Sequence, residues 1–63
     1  MNNVLVYKGY YGDVHFSAAD NVFFGKIIGV NDLVNFEGMD VNELRQSFEE
    51  AVDDYLETVR RPQ

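Results

Sequence analysis

Cysteine is absent from the 63 residues, which excludes disulfides and thiolate metal sites. Cations are scarce: five Lys and Arg stand against eleven Asp and Glu, a net charge of −6 at pH 7. That balance repels phosphate backbones, so direct nucleic-acid binding by this chain is not expected; it favours a basic partner or plain solubility. Histidine occurs once, at position 15. No apolar run approaches the ~20 residues of a membrane-spanning helix, and Met1-Asn2-Asn3 lacks the basic opening of a signal peptide. A cytoplasmic location without a membrane partner is the resulting expectation. Repeats, linkers and low-complexity tracts are also missing, which leaves one domain spanning 1–63.

Apolar residues make up 46% of the chain, with five Phe and four Tyr among them. A disordered chain has too little of either, so a folded core is expected. A domain this short buries roughly 60% of the surface its unfolded chain exposes and is marginal alone. With disulfides excluded, self-association becomes the leading substitute stabiliser, and a homo-oligomer is expected.

The periodicity points to an α+β fold, β-β-β-α, with a three-stranded antiparallel sheet and one long helix on one face. Val4 to Tyr7 is β-prone, and Tyr10, Tyr11, Val14 and Phe16 continue it as one strand, bent near Gly9 or Gly12. Ser17 to Asn21 is a turn, and Val22 to Ile28 is the second strand of a hairpin. Leu33 to Glu37 forms a short third strand closed by Gly38. Asp40 followed by Glu43 resembles a capping box and opens the helix. Val41, Leu44, Phe48, Ala51, Val52, Tyr55, Leu56 and Val59 then fall in an arc of roughly 140°, the width of a core-facing stripe, with Arg45 at its rim. Val22, Phe24 and Ile28 point opposite to Phe23 and Ile27 in a regular strand, so both sheet faces carry apolar groups. One helix covers one face only, which makes Val22, Phe24 and Ile28 the candidate oligomer face.

Glu49, Glu50, Asp53, Asp54 and Glu57, with Glu43, occupy the helix back. Glu49 with Asp53 and Glu50 with Asp54 are like charges at i,i+4, which costs a few tenths of a kcal/mol per pair. The cluster is either a solvated face or a docking surface for a basic partner. His15 and Asp13 share a strand face, but no second His, Cys or spaced ligand set accompanies them, so no metal site and no catalytic residues are assigned. Asp20, Asp32 and Asp40 occupy turn, break and cap positions that favour Asp for backbone reasons. Glycine spacing matches no phosphate cradle, and no cofactor is expected. Tyr7, Tyr10 and Tyr11 form an aromatic cluster on the first strand with few cations nearby.

Tyr7-Lys8-Gly9-Tyr10, Gly12-Asp13-Val14, Phe16, Phe24-Gly25-Lys26-Ile27, Asn31-Asp32-Leu33-Val34, Phe36-Glu37-Gly38 and Phe48 to Leu56 resemble, in order, the N-terminal domain of HicB-family antitoxins of bacterial toxin–antitoxin systems. The resemblance runs from about Val4 to Leu56. It implies a partial ribonuclease H-like fold and a binding module in place of an enzyme. It also implies a HicA-like partner: a small basic ribonuclease of double-stranded-RNA-binding type that cleaves messenger RNA. Members oligomerise and commonly repress their own operon through a C-terminal ribbon-helix-helix or helix-turn-helix segment. Here Thr58-Val59 is followed by Arg60-Arg61-Pro62-Gln63, where Arg60 and Arg61 suit a helix C-terminus and Pro62 stops it. No DNA-binding segment fits after it, and autorepression is not expected of this chain. Glu49, Glu50, Asp53, Asp54, Glu57, Tyr7, Tyr10 and Tyr11 are the candidate toxin contacts. The alternative is an orphan structural or regulatory oligomer without a toxin.

Overall fold

The computed structural model describes residues 4–60 as an antiparallel sheet with one helix across it. The strands are β1 (Val4–Tyr7), β2 (Tyr10–Asp13), β3 (His15–Ser17), β4 (Val22–Ile28) and β5 (Asn35–Gly38), followed by α1 (Val41–Arg60). The α+β class is as expected, but three strands is too few: the sheet has five.

The expected first strand is divided twice. Tyr7 lies opposite Tyr10, which leaves Lys8 and Gly9 as a two-residue turn. Both have positive φ, 51° and 81°, as a type I′ turn requires, so the chain reverses where a bend is expected from the sequence. The second division, at Val14, is milder. β2 and β3 both pair with β4 in a single register, from Tyr11 opposite Ile28 to Ser17 opposite Val22, so they are two halves of one ribbon. Between them the Asp13 carbonyl lies so close to Gly25 that any Cβ there would collide with it. The Lys26 N–H donates instead to Asp13 Oδ1 at 2.7 Å. β5 pairs with the opposite edge of β4, giving the lateral sequence β1, β2 with β3, β4, β5.

The third strand starts two residues later than expected and includes Gly38. Leu33 stays 79% exposed. Gly38 cannot carry a side chain, because its Cβ would meet the backbone of Glu43 and Leu44. The helix therefore begins in direct contact with the strand it follows. Asp40 Oδ1 accepts from the Glu43 N–H at 2.8 Å, and Glu43 Oε1 accepts from the Met39 N–H at 3.0 Å. This is the expected reciprocal cap, with the Glu reaching one residue further back than usual.

α1 lies chiefly over β5, with lighter contact on β4 and β1. Its Leu44, Phe48 and Val52 meet Ile27 and Phe36 in the core, each at 4% exposure or less. Burying each of these side chains is worth about 1.5–3 kcal/mol. Gly12 lies beneath the Phe36 and Phe48 rings, whose centroids are 5.1 Å apart. Ala51 and Leu56 are half-buried against this cluster, whereas Val41 and Val59 at the helix ends are exposed. A 20-residue helix of ~30 Å overhangs four-residue strands of ~13 Å, so the stripe outruns the sheet. The roles expected of the Arg60 side chain, of Arg61 and of Pro62 lie outside the described residues.

Candidate functional site

Register fixes which residues share a face, because directly opposed residues in an antiparallel pair project the same way. On the helix side stand Leu5, Tyr7, Tyr10, Gly12, Phe23, Gly25, Ile27 and Phe36. On the other side the residues form rows across the strands. Val6, Tyr11 and Ile28 make one row. Val4, Asp13, Lys26 and Asn35 make the next, and His15, Phe24 and Glu37 the third. Phe24 and Ile28 are 41% and 47% exposed and Val22 is half-buried, all on the side the helix does not cover. The three are not contiguous in chemistry, since the Asp13–Lys26–Asn35 row separates Phe24 from Ile28.

The candidate tyrosines are split by the turn at Lys8-Gly9. Tyr7 and Tyr10 face the helix, Tyr10 edge-on to Tyr55 at 5.8 Å between ring centroids. Tyr11 alone lies on the uncovered face, 52% exposed. Tyr7 Oη donates to Asp53 Oδ2 at 3.3 Å, and Lys8 Nζ donates to Asp53 Oδ1 at 2.9 Å. Asp53, read from sequence as part of the acidic docking face, therefore also fastens the β1–β2 turn to the helix. The Lys8 ammonium and the Tyr7 hydroxyl hold the Asp53 carboxyl below the usual range against a smaller opposing effect of burial, and Asp53 raises Lys8 in return. Both groups are half exposed, so solvent screens the pair and its effect is to orient the turn more than to stabilise the fold.

Elsewhere on the helix back Glu50, Asp54 and Glu57 are exposed and Glu49 is half-buried. Gln46 Nε2 donates to Glu50 Oε2 at 3.4 Å.

Asp13 and His15 do come together, with His15 Nε2 3.2 Å from Asp13 Oδ2 and the imidazole stacked on Phe24 at 5.3 Å. They line an open hollow of about 200 Å³ with Lys26 and Asn35. Burial alone would raise the Asp13 carboxyl; the Lys26 N–H and the His15 ring outweigh it, and the group lies below its ordinary value. Its two oxygens are thus engaged in holding the interrupted strand and the imidazole. Among the described residues no group of three or more His, Cys, Asp or Glu is placed to hold a metal ion. No helix of the described residues is long and apolar enough to cross a membrane.

Three residues carry weight that sequence reasoning gave to others. Lys8 occupies a left-handed turn position more typical of Asn, Asp or Gly, which hid the hairpin. Val4 and Val6, 41% and 60% exposed, lie on an outer strand that the sequence reading merges with its neighbour. Comparison with family models, with curated proteins and with solved structures gives no match for this chain.

Proposed function

We propose that the chain is a non-enzymatic protein-binding domain of the HicB antitoxin type, which neutralises a HicA-like toxin in the cytoplasm by occluding its RNA-binding and catalytic surface. The observation that carries this reading is the helix back, where Glu50, Asp54 and Glu57 stand exposed beside Glu49 on one rigid element. A ribonuclease that grips messenger RNA is itself basic, so such a stripe is complementary to the surface that must be blocked. Asp53, already bound by Lys8, contributes less than its neighbours. The ordered resemblance from Val4 to Leu56 supports the same reading.

Co-expression with a basic, domain-sized chain encoded next door tests it, scored by growth rescue and co-purification. Replacing Glu49, Glu50 and Asp54 by Gln and Asn together is expected to slow association by about tenfold or more and to flatten its salt dependence. Asp53→Asn is expected to do less. An unchanged rate in the triple variant removes the helix back as the contact, and failure of the two chains to associate removes the antitoxin reading.

A second reading, an orphan structural or regulatory oligomer, is favoured by a different observation: Tyr11, Phe24 and Ile28 are exposed on a sheet face that no described element covers. Self-association without any basic neighbour would select it. Self-association belongs to both readings.

A further inference from the structure

One backbone hydrogen bond and the strand registers set the hydrogen-bonding phase from β4 to β1. The Ile27 N–H donates to the Val34 carbonyl at 3.0 Å, so Ile27 directs its backbone away from β2. Alternation then directs Ile28 toward β2, where it meets Tyr11. Tyr11 being turned to β4, its neighbours Tyr10 and Gly12 are turned to β1, where they meet Tyr7 and Leu5. A two-residue turn requires the same phase, because its flanking residues, Tyr7 and Tyr10, form a hydrogen-bonded pair. Val4 and Val6 are left with their N–H and C=O groups directed outward, and among the described residues no strand lies beyond β1.

Among the described residues the outer side of β3 is a three-residue open edge, and the two longer edges, β5 and β1, differ. On β5 the outward Glu37 N–H donates to Ser47 Oγ at 3.3 Å, and a carboxylate stands at the same residue. Charge and a covering helix are the usual protections of an edge. β1 reads Val-Leu-Val-Tyr, with no charge and no proline. It is unprotected.

We infer that the β1 edge is a self-association seam, pairing antiparallel with β1 of a second copy about a twofold axis at Leu5. A second copy is the occupant, because a twofold axis at Leu5 sets one uncharged Val4-Leu5-Val6 run against another and leaves no charge facing it. A twofold at Leu5 places Val4 opposite Val6 of the second copy, and Val6 opposite Val4, which matches the outward donors and acceptors in both pairs. Ile28, Tyr11 and Val6 then continue into Val4 of the second copy as one apolar row. On the helix side Leu5, half-buried in one copy, meets its own counterpart.

The face centred on Phe24 and Ile28 is the poorer seam. Stacking two copies there would bury the Asp13, Lys26, His15 and Glu37 row members, and desolvating charge without new partners is costly. The edge seam buries none of them. This inference rests on the self-association common to both functional readings and is independent of the toxin.

Three residues per copy make a small interface, so the dimer is weak and exchanges quickly. Sedimentation equilibrium of the full chain from ~10 µM to ~1 mM, with amide exchange followed by NMR, tests it. The dimer fraction is expected to rise across that range. Val4 and Val6 amides gain protection with concentration, while Leu5 and Tyr7 amides are protected throughout. Val6→Pro removes an N–H that bonds nothing among the described residues and is expected to abolish the dimer with the circular dichroism unchanged; Phe24→Lys retains it. A monomer at every concentration, exchange at Val4 and Val6 that ignores concentration, or a dimer lost in Phe24→Lys and kept in Val6→Pro each overturns the seam. If Val6→Pro does not fold, wild-type exchange decides the matter alone.

Discussion

Replacing Gly12 by Ala tests the core where the sheet is thinnest. A Cβ on Gly12 would lie 2.7 Å from Phe48 Cε1 and 2.8 Å from Phe36 Cζ. Carbon atoms rest about 3.5–4.0 Å apart, so each ring must withdraw by roughly 0.7 Å or more. Neither has room to do so, because Phe48 is 1% and Phe36 4% exposed. Such overpacking costs about 1–3 kcal/mol. Ala recovers about 0.5–1 kcal/mol of backbone entropy relative to Gly in a strand, which leaves a net loss of about 0–2.5 kcal/mol, centred near 1. Phe48→Leu removes the outer ring atoms and costs about 1–2 kcal/mol alone. In the double variant the new methyl takes up part of the vacated space, so the combined loss falls about 1 kcal/mol short of the sum. Urea unfolding of the four proteins by circular dichroism, with m-values compared, measures that coupling. Additivity within about 0.3 kcal/mol, or a Gly12→Ala chain more stable than its parent, would refute the packing argument.

Two further predictions concern the same fold. Asp40→Ala removes the acceptor for the Glu43 N–H and is expected to cost about 1 kcal/mol, read as a lower urea midpoint at constant m, whereas no loss would mean that Glu43 caps unaided. Asp13 has a folded-state carboxyl below its ordinary 3.8, so its contribution is fully present above that pH and is lost as pH falls through the lower folded value. Asp13→Asn is therefore expected to flatten the acid limb of stability below about pH 4, and an identical limb in both proteins would show that Asp13 gains nothing on folding.

The helix was legible in detail. Its cap at Asp40 and its buried residues Leu44, Phe48 and Val52 follow from spacing alone, because a helix repeats its contacts every three to four residues whatever it packs on. The opposed directions of Phe23 and Phe24 followed equally well from strand alternation. The first strand did not. Gly9 suits a tight hairpin, but Lys8 before it is not one of the residues that advertise one, and the Asp53 carboxylate that orients Lys8 lies 45 positions away. Treating Val4 to Phe16 as one strand hid an edge and placed three tyrosines together that the fold divides between two faces.

By itself the sequence determined an α+β chain with one amphipathic, acid-backed helix, since these features depend on local period and charge. Only the tertiary structure decided that Asp53 is tied to the turn and that a polar row divides Phe24 from Ile28. It also decided that Val4 and Val6 direct their backbone outward. All three depend on register, and register is set by pairings between residues distant in the chain, which no local pattern records.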